Sequence, residues 1–308
     1  KLVGDDAALS GLRQSALFLE LAGQRGASTV SRRAVYFDTR DHALRQAGYV
    51  LRVRGEGNSH YQTLKRIGSG ELMTRPEYKS EVPGIRPDPG SIPDSRARWR
   101  VTHLLSGQPL EPIFEVDTRR TRVLLSPSRN VEVEAAIDTG EIRLSSDVHR
   151  TLPISEVEFE LVRGSMSDLL SIARNLTMGL PLTLSFLSKP ERGFRLAADE
   201  MQEPCRPPRL NLRGLQSADD AVAVIMGSCL RHLLKNMDAD RLGRNAEGIH
   251  QMRVALRKLR VAFSLLTREQ RDGVAGLIQS AKDIAAVLGA SRDKEILLSE
   301  LTLPVARK

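Results

Sequence analysis

Aromatic side chains are scarce: they make up 4% of 308 residues, with a single tryptophan, Trp99. The C-terminal third, which is its basic part, has no aromatic cluster. That removes the stacking platforms on which single-stranded nucleic acid is bound. Neither a helix-turn-helix pattern nor zinc-ligand spacing is present for duplex readout, so nucleic acid is not the expected partner. Cysteine is nearly absent, and Cys205 and Cys229 fit no metal spacing and point to a reducing compartment. No apolar run approaches the ~20 residues that span a bilayer, and the start has no leader pattern. A cytoplasmic protein with no membrane partner is expected. The first residue is Lys rather than Met, so further residues are expected upstream.

Charge is plentiful and unevenly spread. The net charge is +8, yet residues 1–204 hold 28 Lys/Arg against 27 Asp/Glu, while residues 205–308 hold 18 against 11. An excess of this sign favours acidic partners. The most informative run is Tyr49-Val50-Leu51-Arg52-Val53-Arg54. In a strand successive side chains point to opposite faces, so one face here is apolar and the other carries two guanidiniums. Tyr61, Thr63 and Lys65 share a face in the same way, as do Arg75, Glu77, Lys79 and Glu81, then Glu132, Glu134 and Asp138, then Glu156, Glu158 and Glu160. Alternating charge on one strand is usually a solvated sheet face. Several segregated strands are different, because three carboxylates in a row repel unless compensated. The pattern predicts a cupped or closed sheet with a charged interior, suited to a polyanion held with metal ions.

Strands are expected at Ala34–Asp38, Tyr49–Arg54, Tyr61–Arg66, Arg75–Val82, Ile113–Asp117, Thr121–Ser126, Asn130–Ile137, Glu141–Leu144 and Ile154–Val162. Helical spacing marks Leu9–Ala22, Asp41–Gly48, Ser95–Leu105 and Ser165–Asn175. This is an antiparallel α+β domain. A Pro/Arg-rich linker follows at 201–214. From 215 to 308 the period is helical throughout, with helices at Ser217–Met237, Glu247–Leu266, Gln270–Leu288 and Ser291–Leu301, an all-α bundle domain.

On the second of these helices His250, Arg253, Arg257 and Arg260 fall within an arc of roughly 80°. Met252, Leu256, Leu259, Phe263 and Leu266 lie opposite. A solvated basic surface and a phosphate-binding stripe both fit. Binding is favoured by the scarcity of neighbouring acids and by Arg231, His232 and Lys235 on the preceding helix, which can add to the patch. His42, His60, His103 and His149 are scattered and form no catalytic pair. Cys229, among apolar positions, is expected to be buried and inert.

Taken together these stretches resemble a CYTH domain, the triphosphate tunnel fold, followed by a CHAD domain, as in bacterial CYTH-CHAD inorganic triphosphatases. The resemblance rests on Tyr36-Phe37-Asp38-Thr39, Leu51 through Arg54, Gln62 through Lys65, Arg75-Pro76-Glu77, Asp117 through Arg122, Ile137 through Gly140, Glu156-Val157-Glu158 and Ser188 through Gly193. In the second domain it rests on His250 through Arg257 and Leu288 through Asp293. It covers 1–200 as the tunnel domain and 215–308 as the helical one. The family's opening E-x-E-x-K stretch is missing; Lys1 resembles its lysine, which implies two metal-ligand glutamates just upstream. CHAD domains usually continue well beyond the equivalent of residue 308.

The resemblance implies an antiparallel eight-stranded tunnel barrel with flanking helices that binds triphosphates with Mg²⁺ or Mn²⁺. Lys1, Arg52, Arg54, Lys65, Arg120 and Lys189 are the implied phosphate contacts, with Arg122 and Arg192 as weaker additions and Arg119 pointing away. Asp138, Glu156 and Glu158 are the implied metal ligands; Glu134, Glu160 and Glu77 ligate or position water. Hard cations prefer carboxylate oxygens. The implied reaction is hydrolysis of inorganic triphosphate to pyrophosphate and phosphate, with inorganic polyphosphate bound through His250, Arg253, Arg257, Arg260 and Arg292. The alternatives left open are a non-catalytic polyphosphate-binding protein, or a tunnel enzyme acting on thiamine triphosphate, RNA 5′-triphosphate ends, or ATP as a cyclase.

Overall fold

The computed structural model describes residues 1–57, 59–66, 77–199, 203–239 and 246–296. The chain divides into two units, Lys1–Glu200 and Met201–Lys308. Arg75 and the stretch 297–301, for which structure was expected, lie outside the described residues.

The first unit opens with β1 (Leu2–Val3) and α1 (Asp6–Gln14), started by the Asp5 carboxylate, which accepts the Ala8 N–H at 2.7 Å. α2 (Ala16–Ala22) follows directly. A single helix was expected over Leu9–Ala22, but Ser15 breaks it. Its hydroxyl donates to the Leu12 carbonyl at 2.9 Å and accepts the Phe18 N–H at 3.3 Å, closing one helix and opening the next.

β2 (Ser28–Asp38) leads to the short helix α3 (Ala43–Gln46). The buried Asp38 carboxylate accepts the backbone N–H groups of Thr39, Leu44 and Arg45 at 2.8, 2.9 and 2.9 Å. It therefore fixes this turn. Next come β3 (Tyr49–Glu56), β4 (Ser59–Arg66), β5 (Glu77–Val82), α4 (Ser95–Leu105), β6 (Glu111–Ser128), β7 (Val131–Leu144), β8 (Thr151–Arg163), α5 (Met166–Thr177), β9 (Thr183–Leu184) and α6 (Lys189–Ala198). Asp94 and Ser165 cap α4 and α5, the latter through a capping box with Asp168.

All strand pairs are antiparallel, in the order β5-β4-β3-β2-β6-β7-β8-β1-β9. The antiparallel α+β domain and the helical domain after it are thus as expected, with nine strands among the described residues in place of eight: seven that cover the expected segments and two that were not expected. The additions, β1 and β9, have two residues each, too few to show a period. The four segments expected at Ile113–Asp117, Thr121–Ser126, Asn130–Ile137 and Glu141–Leu144 are only two strands, β6 and β7. Pairing runs unbroken through Thr118↔Gly140, Arg119↔Thr139 and Arg120↔Asp138. Gly140 makes this possible: its φ is +149°, and a Cβ there would stand 2.1 Å from the Asp117 carbonyl oxygen.

The sheet has two characters. One face is apolar and packs under α1, α2 and α5 through Leu9, Leu12, Phe18, Ile172 and Leu176, and under α3 and α4 through Leu44, Ala97 and Val101. The other face is charged for most of its length and apolar at one end, where Tyr36, Phe114, Ile142 and Ile154 are covered by Phe194 of α6. Phe114 stacks on Tyr36 at 4.6 Å and meets Phe194 edge-on at 5.1 Å. α6 sits so close that a Cβ on Gly193 would lie 2.3 Å from the Phe114 ring.

The second unit contains α7 (Ala218–Ala239), α8 (Ala246–Ser264), α9 (Arg268–Gly273) and α10 (Ala275–Ile296), with no strand among its described residues. Leu233, Ile249, Met252, Leu256, Leu259 and Phe263 form its core, joined by the buried thiol of Cys229. The expected helix Gln270–Leu288 is interrupted at Val274, and α10 then runs through Ser291, where a new helix was expected. Thr267 and Gln270 form a capping box that sets the start of α9. No helix of the described residues is long and apolar enough to cross a membrane.

Candidate active site

Strand register assembles the charged face. Asp138 stands opposite Glu156 and Ala136 opposite Glu158, so β7 and β8 aim three carboxylates to one side. Ligand oxygens of Asp138, Glu156 and Glu158 all lie within 4.8 Å of one another. Asp138 and Glu156 are buried, at 1% and 0% exposure. Such a trio repels itself unless cations offset it.

Four cations do so. Arg120 of β6 stands opposite Asp138 and grips it as a fork, Nε to Oδ1 at 2.7 Å and Nη2 to Oδ2 at 2.6 Å, and it reaches Glu158 Oε2 at 2.8 Å. Lys189, the first residue of α6, donates to Asp138 Oδ2 at 2.6 Å and to Glu156, and lies 3.9 Å from Glu158 Oε1. Arg192, one turn on, donates to Glu156 Oε2 at 3.3 Å and to the Pro153 carbonyl. Lys1 donates to Glu156 Oε2 at 3.2 Å and to the Leu187 carbonyl.

Burial alone pushes the Asp138 carboxyl up, but the Arg120 hydrogen bond and the Lys189 charge bring it below its ordinary value. Glu156 is likewise pushed up by burial and brought down further by Lys189 and Lys1. Burial pushes Lys189 down, and the charges of Glu156, Glu158 and Asp138 more than reverse it. Arg120 is raised, first by its bond to Asp138.

These directions give the contribution of this cluster to the pH dependence of stability. A carboxylate with a depressed folded pKa stabilises above its unfolded value and loses that contribution as pH falls through the folded value. Lys189, raised when folded, contributes fully below 10.5 and loses its share as pH rises beyond it. The melting temperature of the first unit is expected to hold between about pH 5 and pH 10 and to fall on the acid side. Asp138→Asn should lower the plateau and flatten the acid limb. Melts recorded across pH on both proteins check this, and parallel curves would contradict it.

The other implied phosphate and metal contacts of this unit lie further along the same face. Lys65 Nζ and Arg52 Nη2 meet Glu77 at 2.7 and 3.7 Å. Arg122 Nε meets Glu134 Oε1 at 3.4 Å, and the exposed Glu160 stands opposite Glu134. Arg54 is opposite Ala34 on β2, on the face that carries Arg52. Arg119 is exposed on the other face. Glu132 departs from its expected company: a register shift beside Val133 turns it to Arg25 and Arg163, at 3.1 and 3.7 Å. Sequence reasoning missed Arg32, which shares the charged face. Counting in twos groups it with Ala34 and Tyr36, and strand pairing sets which way that group faces.

Hard carboxylate oxygens are the donors that Mg²⁺ and Mn²⁺ take. Two oxygens that ligate one ion of that size can be no more than ~4.2 Å apart. A 4.8 Å span therefore needs only a small side-chain adjustment, and the donor set fits. Asp138, Glu156 and Glu158 would hold the ion, with Lys189 and Arg120 yielding part of their present contacts.

In the second unit, His250, Arg257 and Arg260 of α8 are exposed and Arg253 is half-buried, opposite the buried Met252, Leu256, Leu259 and Phe263. His232 does not join this stripe. It is 2% exposed, its Nε2 is hydrogen-bonded to the Cys205 carbonyl at 2.8 Å, and burial lowers its pKa. Arg292 falls on α10, with its side chain outside the described residues.

The CYTH domain family matches residues 9–194, and the CHAD domain family matches residues 224–308. The inorganic triphosphatase of Haemophilus influenzae is 32% identical over 167 residues, 54% of this chain and 46% of that protein, so the match spans about half the length of the relative. A Bacillus halodurans protein classed with adenylate cyclases aligns over 62% of this chain and 94% of its own, at 15% identity and a TM-score of 0.38. A Hippeastrum protein, named for adenylyl cyclase and described with a dominant triphosphatase activity, aligns over 65% of this chain and 93% of its own, at 13% identity and a TM-score of 0.40. The chain belongs to the CYTH domain family and carries a CHAD domain after it.

Proposed function

We propose that the first unit hydrolyses inorganic triphosphate to pyrophosphate and phosphate with Mg²⁺ or Mn²⁺, and that the second unit binds inorganic polyphosphate. The observation that carries the reading is the buried trio Asp138, Glu156 and Glu158, set beside Arg120 and Lys189 on a face that continues into Arg52, Arg54 and Lys65. The name of the Haemophilus influenzae relative supports the same substrate. A cytoplasmic location belongs to the reading and rests on the free thiols of Cys205 and Cys229.

Water attacks a terminal phosphorus, one P–O–P bond breaks, pyrophosphate leaves, and the proton of the attacking water passes to solvent. Phosphoryl transfer of this kind is mostly positioning and charge neutralisation. A bound divalent ion supplies Lewis acidity and a more acidic water. Arg52, Arg54, Lys65 and Arg120 bind and orient the equatorial oxygens, with Lys1, Arg122 and Arg192 assisting. Lys189 neutralises charge where phosphate and carboxylates meet. Glu134 orients Arg122, Glu77 orients Arg52 and Lys65, and Glu160 ligates or positions water.

Phosphate release from tripolyphosphate, measured with Mg²⁺ and with Mn²⁺, tests the reading. No turnover with polyphosphate binding retained would leave a binding protein, and cyclic AMP formed from ATP would make it a cyclase. Arg54→Ala is expected to cut turnover by roughly a hundredfold while polyphosphate binding by α8 persists. Loss of both would contradict two separate sites. The double variant Arg253→Ala, Arg257→Ala should weaken polyphosphate binding and flatten its dependence on salt. Unchanged binding would return α8 to a solvated surface.

A further inference from the structure

Two adjacent arginines on β2 meet opposite fates. Arg33 faces away from the site and is paired with Glu115 at 2.7 Å. Arg32 is on the charged face, opposite Thr118 and two residues along β2 from Ala34, which stands opposite Arg54. It is half-buried, and among the described residues no carboxylate lies within ion-pair distance of it. The charges acting on it are those of Arg122, Arg120 and Arg54, all of its own sign, and of Asp138. Asp138 is already held by Arg120 and Lys189. A guanidinium partly withdrawn from water among like charges raises the energy of the fold unless an anion joins it.

We propose that Arg32 is a phosphate ligand, seating the end of a linear oligophosphate that lies on the β2 side of the site. Strand order supports that placement: β6 and β7 separate β2 from β8, which carries Glu156 and Glu158. A chain crossing the face would have one phosphate at the carboxylate trio and another at Arg32. This rests on the triphosphate reading. Because Arg32 stands apart from the trio, it acts on binding more than on the chemical step.

Tripolyphosphate binding is measured by calorimetry in metal-free buffer, beside initial rates with Mg²⁺. Arg32→Ala is expected to weaken binding and raise KM by roughly tenfold, the scale of one charged hydrogen-bond partner, with kcat changed far less. Arg32→Lys should fall between, since it keeps the charge without the fork, and Arg33→Ala should leave both quantities unchanged. The melting temperature of Arg32→Ala without ligand should hold or rise, because removing an opposed cation relieves repulsion. A merely structural arginine would lower it. If Arg32→Ala binds like the parent while Arg54→Ala binds weakly, the inference fails and the triphosphate reading stands. If neither variant affects binding, the triphosphate reading fails as well.

Discussion

Glu156→Gln is expected to reduce triphosphate hydrolysis by roughly a hundredfold or more, the cost of removing one electrostatic group from a phosphoryl-transfer site. The substitution preserves shape and one acceptor oxygen, so the loss is one of charge. Glu156 has no exposed surface and is engaged by Lys1, Lys189 and Arg192. Removing one partner of a buried ion pair costs about 3–5 kcal/mol; these cations keep some solvent contact, which places the cost at about 3 kcal/mol or below. Denaturant unfolding measures that part separately from rate. The informative contrast is metal-free tripolyphosphate binding, which should persist or tighten in Glu156→Gln because the face becomes more positive. Turnover equal to that of the parent would remove Glu156 from the chemistry.

Gly140→Ala should destabilise the first unit by about 3 kcal/mol, with a melting temperature lower by roughly 6–12 °C. Two causes add. The backbone there has φ +149°, a conformation unfavourable to any side chain, and the new methyl would meet the Asp117 carbonyl oxygen at 2.1 Å. That neighbour is backbone within a paired strand and cannot swing aside. The damage reaches the site through register, since Gly140↔Thr118 is the pair that leads into Asp138↔Arg120. A slip of one residue turns every side chain to the other face. Partial accommodation would therefore lower turnover in folded protein as well as stability. A melt within a degree or two of the parent would show that the two strands separate more easily than their pairing implies.

Much of the site was legible because strands have an integer period. Arg52 with Arg54 and Glu156 with Glu158 could be assigned to common faces without knowledge of partners. What the period does not carry is absolute facing. In Ser31-Arg32-Arg33 either arginine could point inward, and only the pairs Ala34↔Arg54 and Arg32↔Thr118 decide it. α6 was seen as a motif and missed as a helix, although Ser188 accepts the Glu191 N–H at 3.3 Å and Pro190 sits in the first turn. Glycine disfavours a helix locally; Gly193 is there because the Phe114 ring leaves no space for a Cβ. His232 was misjudged because helical spacing cannot show that the Cys205 carbonyl and the Asn236 amide cover that side of α7. The break at Ser15 was missed, because its double use, ending one helix and beginning another, depends on the chain turning sharply there.

Helix α6 joins two matters that are usually independent. Lys189 and Arg192 bring positive charge to the carboxylates, and Phe194 on the same helix seals the greasy end of the sheet against Phe114. The helix is thus a latch whose hydrophobic bolt and ionic clasp move together. Lifting it would wet the aromatic seam and strip the acids of two counter-ions at once, so charge balance at the acids is held in part by contact between rings that bear no charge.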